Sequence, residues 1–235
     1  MNILHTKFIV HWTGKDFHVP TNTLDDNLRD KYIQRLIDIL EKGFFMKVGT
    51  EKIYDLDDQW IQATISRTCF TEIKLSLAKK HAQIYGHLGI GVDRKFVLNR
   101  YGNPVFYEMN GNYSNVVVCA RKVMDCLKMK DKDILVEFQT LLGYFKNMND
   151  KNCDELIYYD ELEWRITHLR RLETENYLTV QDRANHIYRV KISKDDIKVI
   201  IFPDEETKVK AFNNSRFVAL IDKPICVTID DCEHF

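Results

Sequence analysis

The sequence predicts an α+β fold. It is read as a single domain over residues 1–235, with a mixed core sheet of short strands and helices around it. Three observations predict it. Apolar stripes at helical spacing and apolar runs at period two follow one another in mixed order, without the regular alternation of a doubly wound sheet. With 235 residues, 45% hydrophobic and 29% charged, the chain is long and apolar enough to bury a core. Only 9 Gly and 4 Pro argue against long linkers.

Lys7 to Gly14 reads as a strand ending in a turn, followed by a polar loop around Pro20. A helix is expected from about Asp25 to Lys42, because Ile33, Leu36, Ile37 and Leu40 repeat at helical spacing and Gly43 offers a stop. Ile61 to Phe70 reads as extended. Thr71 to Tyr85 reads as a helix, with Leu75, Ala78, Ala82 and Tyr85 on one stripe. Leu88 to Val92 and Pro104 to Glu108 read as short buried strands. Val116 to Asn147 holds two helical stretches, broken near Lys130 to Asp133. Period two returns at Leu156 to Tyr159 and Glu163 to Ile166, then at His186 to Ile192, Ile197 to Phe202 and Pro224 to Ile229. A short helix falls at Glu205 to Phe212.

The charge balance of 34 basic against 35 acidic residues disfavours bulk electrostatic coating of nucleic acid. No apolar run reaches the length of a membrane span, and no secretory cleavage site follows the N-terminal strand, so a cytoplasmic location is expected. Six cysteines without C-x-x-C spacing read as reduced and structural. His81 and His87 fall on different helix faces, so no metal is expected. Gly89-Ile90-Gly91 lacks the order of a dinucleotide-binding loop.

Four stretches stand out. They are Cys69-Phe70-Thr71-Glu72-Ile73, Tyr85-Gly86-His87-Leu88-Gly89-Ile90-Gly91, Asn103-Pro104-Val105-Phe106-Tyr107 and Tyr159-Asp160-Glu161-Leu162-Glu163-Trp164-Arg165. In this order they resemble the AbiGi family of abortive-infection, or phage-resistance, proteins. A second, more distant resemblance rests on His11-Trp12-Thr13 at a first strand, a helix ending Ile39-Leu40-Glu41-Lys42-Gly43, and a late glutamate opening a strand. These are similar to DarT-like ADP-ribosyltransferase toxins, although the central segment of that family has no counterpart here.

The second resemblance implies an ADP-ribosyltransferase-like fold with NAD as substrate and Glu163 as the catalytic carboxylate. Such a carboxylate stabilises the oxocarbenium-like state that forms as the nicotinamide–ribose bond breaks. Glu161, two residues earlier, is the rival. His11 would bind the nicotinamide-side ribose, and Thr13 would support the same sugar or the adenosine side. Phe70 or Tyr85 would stack on nicotinamide, and Arg67 would contact the diphosphate. Each has a plainer reading: Glu163 as the ion-pair partner of Arg165 or of a lysine on a neighbouring strand, Phe70 as core, Tyr85 as a helix end.

Arg165, His168, Arg170 and Arg171 could hold an RNA or single-stranded DNA acceptor, with Arg121, Lys122, Lys128, Lys130 and Lys132 as a second basic cluster or simply a solvated face. Three readings follow. The chain is an NAD-dependent transferase toxin silenced by an antitoxin protein partner, a non-catalytic regulator or antitoxin, or a nucleic-acid-cleaving toxin.

Overall fold

The computed structural model describes residues 8–17, 24–54, 60–108, 115–130, 132–147 and 161–234. β1 (Phe8–Thr13) lies at the middle of the main sheet. Among the described residues that sheet has ten strands. Its main path runs β12 (Ile225–Thr228), β11 (Ile197–Phe202), β4 (Leu88–Asp93), β1, β3 (Trp60–Thr71), β2 (Phe44–Tyr54), β10 (Ile187–Val190), β9 (Leu178–Asp182). β8 (Glu163–Thr167) branches from β3 and carries the two-residue β5 (Asn103–Pro104) on its far side. Every pairing in this sheet is antiparallel except β11 with β12. A separate parallel pair joins β6 (Phe106–Glu108) to β7 (Phe145–Asn147).

Period-two alternation buries the central strands on both faces. On β11, Ile197, Ile200 and Phe202 enter one core while Val199 and Ile201 enter another. On β1, Ile9 points to the first core and Val10 and Trp12 to the second. The first core is closed by α1 (Asp26–Lys42), with α7 (Glu205–Phe212) and α8 (Ser215–Leu220) beside it. The second is closed by α2 (Ala78–Tyr85) and the C-terminal 3-10 turn. A third, smaller core forms where α4 (Asn115–Lys130) and α5 (Lys132–Leu142) bring Met124 and Leu142 against Ala63 of β3. Two short helices, α3 (Arg94–Leu98) and α6 (Arg170–Thr174), complete the set.

α1 shows why local sequence suffices for some elements. Asp25 caps it by accepting from the Leu28 amide at 2.7 Å, and Leu36 and Ile37 are buried at its centre. Gly43 ends it with φ +92°, and its backbone N–H donates a hydrogen bond to the Ile39 carbonyl at 2.8 Å.

Elsewhere the expected boundaries move. The helix expected from Thr71 begins only at Ala78, because β3 runs on to Thr71, which pairs with Val10 of β1 and Glu163 of β8. β2 was not expected: its second half, Thr50-Glu51-Lys52, is polar, and long-range pairing with β3 fixes it. β9 and the helices α3, α6 and α8 were also not expected. The strand expected at Leu156 to Tyr159 lies outside the described residues.

Gly43 is also a packing constraint. An alanine Cβ there would lie 2.2 Å from the Val190 carbonyl oxygen, in a backbone conformation that side chains avoid. Gly43→Ala should cost about 2 kcal/mol or more in urea unfolding, whereas Lys47→Ala on the exposed side of β2 should leave the midpoint nearly unchanged.

Candidate functional site

β8 opens with Glu163, and its register against β3 sets Glu163 opposite Thr71, Trp164 opposite Phe70 and Arg165 opposite Cys69. Alternation then divides the two faces. Trp164, Ile166 and Phe70 point into the first core. Glu163 and Arg165 point to the other face, and both are buried.

There they form an ion network. Arg165 grips Glu163 with two parallel bonds, Nε to Oε1 at 2.7 Å and Nη2 to Oε2 at 3.1 Å. Lys146 of β7 donates to the same Glu163 Oε2 at 2.9 Å and also to Glu161 Oε2. The Tyr85 hydroxyl, at the end of α2, donates to Glu161 Oε1. Arg165 continues inward. Nη1 donates to the Gly143 carbonyl, and Nη2 lies 3.2 Å from Glu51 Oε1, which also pairs with Arg67. Three carboxylates therefore face three cations: Glu51, Glu161 and Glu163 against Arg67, Lys146 and Arg165.

Burial alone would raise the Glu163 pKa, but the charges of Arg165 and Lys146 outweigh it and hold the carboxyl well below its usual range. Burial would likewise lower Lys146 and Arg165, yet Glu163 holds both above their ordinary values. Burial, and then the Glu163 charge, push the neighbouring Cys69 thiol up to about 12, so it stays protonated at neutral pH. The backbone is constrained as well. Leu162, between the two glutamates, has φ +43°, and the Glu163 amide donates to the Tyr107 hydroxyl at 2.6 Å.

The residues expected to bind NAD do not gather here. His11 packs on Phe44 and Phe70, with ring centroids 5.0 and 5.8 Å away, on the first-core face of the sheet. Its Nδ1 lies 2.8 Å from the Cys69 carbonyl, which can only accept, so the proton sits on Nδ1. Burial lowers its pKa to about 4; the carbonyl bond offsets this in part, and the Arg35 charge adds to the lowering. Thr13, two residues on, accepts from Arg35 Nη1 of α1 at 2.9 Å. The sheet thus separates His11 and Thr13 from Glu163.

Further expectations change for physical reasons. Phe70 is 1% exposed within the main core and offers no face for stacking. Tyr85 spends its hydroxyl on Glu161, and Arg67 is engaged by Glu51. Arg165, 1% exposed, cannot meet a phosphate backbone. His168 bonds Glu173 at 2.7 Å and stacks on Tyr188. Of the expected acceptor-binding set, Arg170 and Arg171 are exposed, and Arg171 pairs with Glu175. Lys128, Lys130 and Lys132 have side chains outside the described residues. Lys146 and Glu51 belong to the network without being among the expected site residues. Neither has a local signal: each is distant in sequence and is brought in by strand pairing.

Residues 43–203 match the model of a family described as abortive phage resistance protein AbiGi, antitoxin. The chain belongs to the AbiGi family. The match covers more than half of the chain and includes every member of the ion network, whereas His11 and Thr13 precede it. Membership places this AbiGi chain in abortive phage resistance. No curated protein and no solved structure matches it. Among the described residues, no helix is long and apolar enough to cross a membrane, and no group of three or more His, Cys, Asp or Glu could hold a metal ion.

Two predictions follow from this geometry. Glu163→Gln should cost about 3 kcal/mol or more at pH 7, because it leaves Arg165 buried beside a neutral amide. The native Glu163 pKa lies below the ordinary 4.5, so its contribution is complete above that pH and is lost as pH falls through the lowered native value. The stability gap between wild type and variant should therefore narrow below pH 4.5 in urea unfolding series. His11 has the same sign at higher pH. With a native pKa of about 4 against an ordinary 6.5, the unfolded chain takes up its proton first, and stability falls between those two values. His11→Phe should flatten that part of the curve; an unchanged slope would place the loss elsewhere.

Proposed function

We propose that this AbiGi chain is a non-catalytic antitoxin of an abortive-infection system, restraining a toxin partner by binding it. One observation carries the reading: both oxygens of the Glu163 carboxylate are held by Arg165 and Lys146 in a buried network. A carboxylate spent in this way is a structural counter-ion, with no oxygen left to face a developing charge on a sugar. The separation of His11 and Thr13 from Glu163 by the sheet supports the same reading. So does the description of the family as an antitoxin.

A second reading keeps an NAD-dependent ADP-ribosyltransferase acting on RNA, single-stranded DNA or protein, with Glu161 as its carboxylate. It draws on the backbone at Leu162, whose φ of +43° is costly for a branched side chain and sits between two glutamates that converge on one lysine. Strain of this kind marks functional sites, but it is equally the cost of closing the network.

The two readings part in one experiment. The chain is expressed alone in a bacterial host, and the purified protein is incubated with labelled NAD and separate pools of RNA, single-stranded DNA and cell protein. The antitoxin reading expects normal growth and no label in any pool. Growth arrest together with label transfer that Glu161→Gln abolishes would replace it with the transferase.

A further inference from the structure

α1 and α7 lie side by side over the first core. On α7, Thr207 and Ala211 point inward and are buried. Glu205, Val209 and Phe212 follow one another at helical spacing on the opposite side, and all three are exposed. Val209 is 51% exposed and Phe212 44%. Between the two helices runs a groove of about 420 Å³, lined by Asp26, Arg29, Glu205, Glu206, Val209 and Lys210 among others. Val209 and the aliphatic stems of Arg29 and Lys210 supply its apolar surface, and Phe212 extends that surface beyond the groove.

Around the groove the cations lie low and the carboxylates stand out. The side chains of Arg29, Lys208 and Lys210 are 15%, 23% and 36% exposed. Those of Asp26, Asp30, Glu205 and Glu206 are 85%, 59%, 63% and 74% exposed. Glu206 Oε2 lies 2.8 Å from Arg29, Asp30 Oδ1 2.8 Å from Lys210 and Glu205 Oε2 2.7 Å from Lys208. Asp26 is held only loosely, 3.8 Å from Arg29 and 3.7 Å from Lys210. With most of each carboxylate in water, a second oxygen remains for a further cation. Asp204 is engaged by Arg29 and Thr207. Five carboxylates therefore meet three cations, and the side turned to solvent is negative. Acids in a first turn favour the helix they start, which accounts for Asp26, Glu205 and Glu206 one at a time. Asp30, a turn further along α1, joins the same rim. A rim of this sign repels nucleic acid.

We propose that the groove between α1 and α7 receives a basic amphipathic helix of the toxin partner. The proposal rests on the antitoxin reading and names its docking site. Apolar side chains of that helix pack on Val209 and extend toward Phe212. Lysines or arginines on its flanks reach Asp26 and Asp30 of α1 and Glu205 and Glu206 of α7. A second copy of this chain is the less suitable occupant, because symmetric pairing across the groove would set these acids against their own equivalents.

The probe is the peptide acetyl-Ala-Lys-Leu-Ala-Arg-Lys-Leu-Ala-Lys-Leu-Arg-Ala-amide, added to the full chain and followed by NMR. Its counterpart carries glutamate in place of every lysine and arginine. The basic peptide should shift the Val209 methyl and Asn213 amide resonances and saturate below millimolar concentration, and the glutamate peptide should shift neither. Glu205→Gln with Glu206→Gln should weaken the basic peptide about fivefold or more. Val209→Ser, at an exposed position, should weaken it by a similar factor. Equal shifts with both peptides, none with either, unchanged affinity in both variants, or shifts centred on other elements would overturn the proposal. So would a concentration-dependent dimer in sedimentation that Val209→Ser dissolves, which would assign the groove to a second copy. These readouts involve neither growth arrest nor NAD transfer, so the docking site and the antitoxin reading can fail separately.

Discussion

The bidentate pair between Glu163 and Arg165 is the contact on which the surrounding structure depends. A guanidinium that is 1% exposed would be prohibitively costly without a carboxylate in hydrogen-bonding geometry. Meeting that requirement fixes β8 beside β3 and draws β7 in through Lys146. The Gly143 carbonyl, at the end of α5, is tied to the same arginine. Glu51 extends the network to β2. Three stretches of the chain, at Glu51 to Arg67, Gly143 to Lys146 and Glu161 to Arg165, thus meet at one group of charges, on the face of the sheet opposite the main core. Breaking one member leaves the others buried and uncompensated, which is why the network acts as a unit.

This arrangement also bears on function. A ribosyl-transfer site needs its sugar-binding groups and its carboxylate around one ligand. Here the alternation of β1 and β8 sends His11 with Thr13 one way and Glu163 the other. The family match includes the ion network and leaves out His11 and Thr13. Over the matched stretch this chain builds a framework of strands closed by internal charge pairs.

Much of the fold was legible in the sequence. α1 was readable because its stripe, its Asp25 cap and its Gly43 stop all lie within one segment. β4, β8 and β11 were readable because burial leaves continuous or alternating apolar runs. β2 and β9 were not, since half of their positions face water and only pairing makes them strands. The site was legible in part. The late Glu-x-Glu-Trp-Arg stretch does mark the polar centre, and the plain alternative for Glu163, an ion pair with Arg165, is what the fold builds. A lysine partner on a neighbouring strand was part of that plain alternative, but its identity was not legible, because nothing near Lys146 in sequence signals that β6–β7 pairing will carry it to two glutamates. Phe70 and Arg165 look chemically suggestive in a linear motif, but strand register buries both.

The most direct measurement of the central claim is a double-mutant cycle in urea unfolding, using Glu163→Gln, Lys146→Met and the pair together. If the network is a cooperative structural unit, the two changes are strongly non-additive, with a coupling of about 1 kcal/mol or more. Additivity within about 0.5 kcal/mol would mean that the two side chains stabilise the fold independently, and would contradict the account of Glu163 as a counter-ion held by the network.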